Sequence, residues 1–220
     1  MDNSANAVDG FTKGAVYKGL AIASAADQTF LYTTNFRDGV VEIYDSTFAF
    51  VKAFTDPGLV PDAPEPGFAP FGIQALGDRL YVTFAMQDDD RKDDVKGPGQ
   101  GFINVFDLYG KFIRKLITGD PLNSPWGLAL APDDFGQFSR ALIVGNFGDG
   151  QINAFDPDTG ALLGPLTKRQ GQAIVINGLW GLSFGNDGSA GTHNELFFTA
   201  GINNEANGLF GKITVGREKR

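Results

Sequence analysis

The segment "VGNFGDGQINAFDPDTG", Val144–Gly160, alternates apolar and small or polar residues on either side of a Gly-Asp-Gly turn and ends in an Asp-rich turn. It reads as strand, turn, strand, turn. Its glycine-led second half recurs as "GVVEIYD" from Gly39, "GFINVFD" from Gly101 and "GLFGKIT" from Gly208. The strand before that turn, "LIVGNF" from Leu142, recurs as "LYTTNF" from Leu31, "LYVTFA" from Leu80 and "LFFTAG" from Leu196. A third landmark precedes each pair: "KGLAIA", "FGIQAL", "WGLALA" and "WGLSFG", with glycines at 19, 72, 127 and 181, hence intervals of 53, 55 and 54 residues. The quoted stretch is therefore one copy of a unit that the chain repeats.

Each copy supplies three strands of period-2 alternation, which places one set of side chains on each face of a sheet. The first three copies continue into a fourth strand, expected at Phe48–Phe54, Phe112–Ile117 and Leu162–Thr167. The turns "DSTF", "DLYG" and "DPDTG" lead into them, with an Asp whose side chain can cap the turn backbone. Four antiparallel strands every fifty or so residues predict an all-β fold, a β-propeller of about four four-stranded blades in a single domain, either complete or part of a larger ring. The repeats run approximately over 14–60, 66–118, 122–168 and 176–216. A β-sandwich of similar strand number is the alternative. The last repeat has three clear strands, so closure of a four-bladed ring calls on residues 1–13 as a closing strand or arm. Failing that, the ring is completed between chains as a homo-oligomer.

Composition agrees and narrows the function. With 220 residues, 30 glycines, 20 phenylalanines and 42% hydrophobic content the chain can bury a substantial core made of short strands. A net charge of −8 argues against a nucleic-acid partner, since phosphate binding draws on clustered Lys and Arg. There is no cysteine, and therefore no disulfide or thiolate chemistry. No apolar run is long enough to span a bilayer and no signal peptide is visible, so the chain as given is expected to be soluble.

The stretches "GAVYKGLAI", "GFAPFGIQ", "YVTFAMQDDDRKDDVKGPGQGFINVFD", "PLNSPWGLALAP", "VGNFGDGQINAFDPDTG" and "ELFFTAGINNEANGLFG" closely resemble an uncharacterised bacterial propeller family whose members often carry a PEP-CTERM sorting tail. More distantly they are similar to NHL-repeat propellers. The resemblance covers about residues 14–213. It implies a propeller fold and a secreted or cell-surface bacterial setting, and it assigns no activity. The chain departs from that pattern at both ends, beginning where earlier blades would finish and lacking the tail.

Propeller topology gathers the second-to-third-strand loops and the connections between blades at one face of the disc. That face is expected to carry Asn35 and Asp38, Asn146 and Asp149, Asn203 and Glu205, and the long segment Met86–Gly101. Phe71, Trp126 and Trp180 stand just before the inner-strand glycines, with Lys18 at the fourth such position. An aromatic ring of this kind can form a ligand mouth. Equally, it can fill the channel and wedge the blades apart. These ten residues are the candidate ligand-binding set.

Within "QDDDRKDDVKGPGQG", the carboxylates Asp88, Asp90, Asp93 and Asp94 are candidate ligands for a hard cation such as Ca²⁺, which takes six to eight oxygens. The spacing does not follow an EF-hand. The plainer reading is a solvated loop in which they pair with Arg91, Lys92 and Lys96. The Asn/Asp-Gly turns likewise need no ligand, because these residues tolerate left-handed geometry. His193 is the only histidine and is expected on the opposite face, which removes His-dependent triads. Carboxylate or lysine chemistry survives, with Asp38, Asp149 or Glu205 as a base beside Lys18. The leading expectation is a propeller that binds a small molecule, glycan or protein partner. The alternatives are a metal-dependent hydrolase, lactonase or lyase at the channel mouth, and a purely structural assembly module.

Overall fold

The computed structural model describes residues 14–61 and 67–216. Among the described residues there are fifteen strands and one short 3-10 turn at Gly136–Phe138. Blade 1 is β1 (Tyr17–Ala25), β2 (Gln28–Asn35), β3 (Val40–Tyr44) and β4 (Phe50–Phe54). Blade 2 is β5 (Phe68–Leu76), β6 (Arg79–Met86), β7 (Phe102–Asp107) and β8 (Phe112–Thr118). Blade 3 is β9 (Pro125–Leu130), β10 (Leu142–Asn146), β11 (Ile152–Phe155) and β12 (Leu162–Pro165). Blade 4 is β13 (Leu179–Phe184), β14 (Glu195–Ile202) and β15 (Asn207–Thr214). Every sheet is an antiparallel meander in chain order, and the blades are arranged as a β-propeller. The expected closing segment, residues 1–13, lies outside the described residues.

Two of the expected fourth strands are shorter than the alternation suggests. Strand β4 begins at Phe50 because Phe48 takes a left-handed φ of 62° in the preceding turn. Strand β12 ends at Pro165, after which the Leu166 N–H still reaches the Ile152 carbonyl at 2.8 Å but the Leu166 carbonyl turns to the Ile174 N–H at 2.9 Å. The turn chemistry behaves as its residues dictate. The Oδ1 atoms of Asp45, Asp107 and Asp156 each accept two backbone N–H groups of the turn that follows, at 2.7–3.0 Å.

The repeated glycine sets the spacing between blades. The inner strands β1, β5, β9 and β13 pack in succession. At Gly19 a methyl group would meet the Phe71 carbonyl oxygen at 2.9 Å, at Gly72 it would overlap that of Trp126, and at Gly127 it would meet that of Trp180 at 2.5 Å. Only a residue without Cβ permits this approach. In blade 1 the contact is bridged by Thr34, whose hydroxyl accepts the Gly19 N–H at 2.6 Å and donates to the Phe71 carbonyl at 2.8 Å.

Apolar packing follows the same order. One core joins blades 1 and 2 through Tyr32, Val41 and Ile43 against Ile73, Val82 and Phe84. A second joins blades 2 and 3 through Ile103 and Val105 against Leu128 and Val144. A third joins blades 3 and 4 through Ile143, Ile152 and Ala154 against Leu179, Leu182 and Leu196. Burial in these seams is the main stabilising contribution, at about 25 cal/mol per Å² of apolar surface.

Candidate functional site

The loops join at one face as strand order requires. Asn35 ends β2, with its Nδ2 donating to Asp38 Oδ2 at 2.7 Å and to Glu42 Oε1 at 3.1 Å. Glu42 Oε2 in turn accepts the Tyr17 hydroxyl at 2.9 Å and the Tyr44 hydroxyl at 2.5 Å. Asn35 and Asp38 are thus committed to shaping their own turn. The equivalent Asn146 is fully buried, and its Nδ2 reaches the Pro121 carbonyl at 2.7 Å while its Oδ1 has no partner. Asp149 accepts from the Gln151 N–H at 3.0 Å and from Asn123 Nδ2 at 3.4 Å.

The aromatic residues form a cluster instead of an open ring. Phe71 is fully buried and lies 5.3 Å from Phe36, 6.2 Å from Phe147 and 5.8 Å from Trp180, measured between ring centroids. Phe147 and Trp180 are 4.2 Å apart. These rings plug the centre of the face, which is the packing role weighed against the open mouth. Trp126 and Trp180 meet edge to face at 5.4 Å and keep partial exposure. Their indole N–H groups are taken, that of Trp126 by the Lys18 carbonyl at 3.1 Å and that of Trp180 by Glu205 Oε1 at 2.9 Å.

The segment Met86–Gly101 folds across the plug as a strap. Gln87 Nε2 donates to the Phe36 carbonyl at 2.6 Å, and Lys18 Nζ pairs with Asp93 Oδ1 at 3.0 Å, both in blade 1. On the other side the Gly97 N–H donates to Asn123 Oδ1 at 2.8 Å, and Lys96 Nζ stands 4.0 Å over the Phe147 ring, both in blade 3. The four aspartates of this segment do not converge. Asp88 Oδ1 accepts the N–H groups of Lys92 and Asp93, at 2.8 and 3.2 Å, the carbonyl of Asp90 faces Arg37, and Asp93 is paired with Lys18. Asp94 is tucked beneath the strap, where burial pushes its carboxyl above the ordinary range. Among the described residues no group of three or more His, Asp or Glu side chains is placed to hold a metal ion.

Glu205 and Asn203 lie on the blade 4 side, which the strap does not reach. Asn203, Asn204 and Glu205 take three successive left-handed φ values of 55°, 53° and 63°, and Asn203 Nδ2 donates to Asn207 Oδ1 at 3.0 Å. Such a run of non-glycine residues holds local strain. It also turns Glu205 back onto Trp180. His193 lies in the β13–β14 connection, remote from these loops in topology, between Asp187 at 2.8 Å and Asp134 at 3.1 Å. Sequence reasoning passed over Glu42, Gln87, Asn123 and Lys96. All four stand in stretches already quoted, Glu42 in "GVVEIYD", Gln87 and Lys96 in "QDDDRKDDVKGPGQG" and Asn123 in "PLNSPWG", but only Lys96 is named there, as an ion-pair partner of the aspartates.

No family model matches the chain. It is 34% identical over 202 residues to uncharacterised protein R648 of Acanthamoeba polyphaga mimivirus, a match covering 90% of this chain and 48% of R648. The chain spans about half the length of the curated relatives it matches. In fold it resembles streptogramin B lyase, with a TM-score of 0.54 at 16% identity over 91% of this chain and 52% of that one. It also resembles the Dos1 propeller, with a TM-score of 0.50 at 14% identity over 92% of this chain and 49% of that one. The fold is therefore that of the propellers, and the curated relatives are viral. Among the described residues no helix is long and apolar enough to cross a membrane.

Proposed function

We propose that the protein is a binding propeller whose ligand seats on Trp126 and Trp180, at the part of the central face that the strap leaves uncovered. The observation that carries this reading is the state of the two indoles. They are partly exposed, and both N–H groups are satisfied within the protein, so what they offer a ligand is their ring faces. Flat apolar surfaces flanked by a carboxylate and amides suit a sugar ring or a planar small molecule that also presents a donor to Glu205 or Asn203. Lys18 is held by Asp93, and Phe71 serves as the floor on which Trp180 rests. Asn35, Asp38, Asn146 and Asp149 shape the loops and do not themselves contact the ligand. A secreted or surface setting, implied by resemblance to the sorting-tail propellers, belongs to the same proposal.

The two tryptophans are the only ones in the chain, so intrinsic fluorescence reports on this site without interference. The reading requires that acrylamide quench their emission. It further requires that a member of a glycan and planar-metabolite panel shift that emission in the wild type, with the shift lost in Trp180→Ala and Glu205→Gln variants that melt cooperatively. Emission resistant to acrylamide would mean a sealed plug and would overturn the reading.

A further inference from the structure

The residue after each inner-strand glycine occupies an equivalent place in the seam with the preceding blade. Ile73, Leu128 and Leu182 are exposed by 5%, 3% and 7%, whereas the fourth member, Leu20, is 63% exposed. Its neighbour Ile22 is 66% exposed, and the cross-strand partners Thr33 and Leu31 beside them are half-buried.

The complementary half of the seam is bare on blade 4. Thr34 and Thr83 are fully buried, each accepting the N–H of its inner-strand glycine at 2.6 and 2.7 Å. Thr199 accepts the Gly181 N–H at 3.0 Å in the same manner, yet it is exposed. Above Gly181, among the described residues, no neighbouring carbonyl oxygen lies where Phe71, Trp126 and Trp180 supply one to the earlier blades. Among the described residues an apolar core fills each of the three seams between successive blades, whereas blade 4 meets blade 1 only through the central aromatic cluster that holds Phe36 and Trp180.

We propose that these two faces join copies of the chain head to tail, with blade 4 of one copy seating blade 1 of a second as each internal blade seats its successor. The occupant is a second copy because both halves of the seam are displayed on the same molecule. One copy presents a glycine-threonine notch at Gly181 and Thr199, and the other presents the Lys18 carbonyl followed by Leu20 and Ile22. The Lys18 carbonyl already accepts one hydrogen bond, from Trp126, and retains a lone pair for Thr199. The solved propellers of similar fold are matched over about half of their own length. A head-to-tail pair of copies related by a two-fold axis closes as a ring. This inference does not depend on the ligand site.

Light scattering coupled to gel filtration of the intact chain is expected to give twice the 23.5 kDa monomer mass, falling towards the monomer across a dilution series. Leu20→Glu and Thr199→Glu, placed at opposite ends of the molecule, should each shift the protein to monomer while keeping wild-type circular dichroism and a cooperative melt. Mixing the two variants should restore a dimer, since one intact seam can form between the unmodified blade 4 of the first and the unmodified blade 1 of the second. A wild-type monomer at all concentrations would overturn the proposal. So would a dimer that mixing fails to restore, because that outcome indicates a self-paired interface. Should either glutamate variant fail to fold, Leu20→Ser and Thr199→Lys provide the same complementation.

Discussion

The Thr34 hydroxyl donates to the Phe71 carbonyl at 2.8 Å across the seam between two blades, while accepting the Gly19 N–H of its own. One side chain thereby satisfies two backbone groups in a fully buried place. Thr34→Val keeps the shape and removes both bonds. It should cost about 1–3 kcal/mol, the range for stranding buried polar groups, read as a lower urea midpoint at unchanged slope. Thr199→Val removes only the equivalent bond on an exposed face and should stay within about 0.5 kcal/mol for the monomer.

Gly72 and Gly181 form a second matched pair. A methyl group at Gly72 would overlap the Trp126 carbonyl, which belongs to a neighbouring backbone and cannot swing aside. Gly72→Ala should therefore destabilise by about 1–3 kcal/mol, as overpacking of a filled seam does. At Gly181 the methyl would meet Thr199 Oγ1 at 3.0 Å and the Trp126 ring at 3.8 Å. The hydroxyl there can move, and thermal melts should separate the two variants clearly.

Asp56, only 4% exposed, accepts Asn104 Nδ2 and the Gly58 N–H at 2.7 Å each and pairs with Lys115 Nζ at 3.1 Å. Burial pushes its carboxyl up, but these donors outweigh burial and leave it below the ordinary range. A depressed carboxylate stabilises above the unfolded value, about 3.9 for Asp, and that contribution is lost as pH falls through the folded value. Asp56→Asn should be less stable than wild type at neutral pH. The gap should narrow progressively below about pH 4, as followed by denaturant titrations at stepped pH.

His193 gives a titration with the opposite sign. Its hydrogen bond to Asp187, together with the charge of Asp134, raises its pKa above the ordinary histidine range. The pairing therefore stabilises fully below about pH 6.5 and is lost as pH rises through the folded value. As the single histidine, it offers one imidazole resonance to proton NMR. That resonance should titrate above about 6.5, and the midpoint should fall in Asp187→Asn and, to a smaller degree, in Asp134→Asn.

The repeat was legible because its cause is local. A glycine is required wherever a neighbouring carbonyl passes, and the alternation after it reports which side chains enter a seam, so Gly19, Gly72, Gly127 and Gly181 announced four blades. The role of Phe71 was not legible. Whether an aromatic at that position lines a channel or fills it depends on how closely the inner strands approach the axis, a distance that no spacing along the chain encodes. The strap was hidden for a related reason. The carboxylates of "DDDRKDD" suggest a cation site in isolation, but Lys18 and the N–H groups of Lys92 and Asp93, brought in by the fold, already occupy Asp93 and Asp88. Trp180 and Glu205 were both singled out, yet their pairing depends on left-handed geometry that runs through Asn203 and Asn204, which tolerate it, into Glu205, which does not advertise it.

Because Met86–Gly101 ties blade 2 to blades 1 and 3, those three sheets are cross-braced at a single end, whereas blade 4 is held through its seam with blade 3 and the Trp180 ring. Amide protons of β14 and β15 should then exchange with deuterium through partial openings that leave β6 and β10 protected. The molecule would loosen from the blade 4 side well before it loses its fold as a whole.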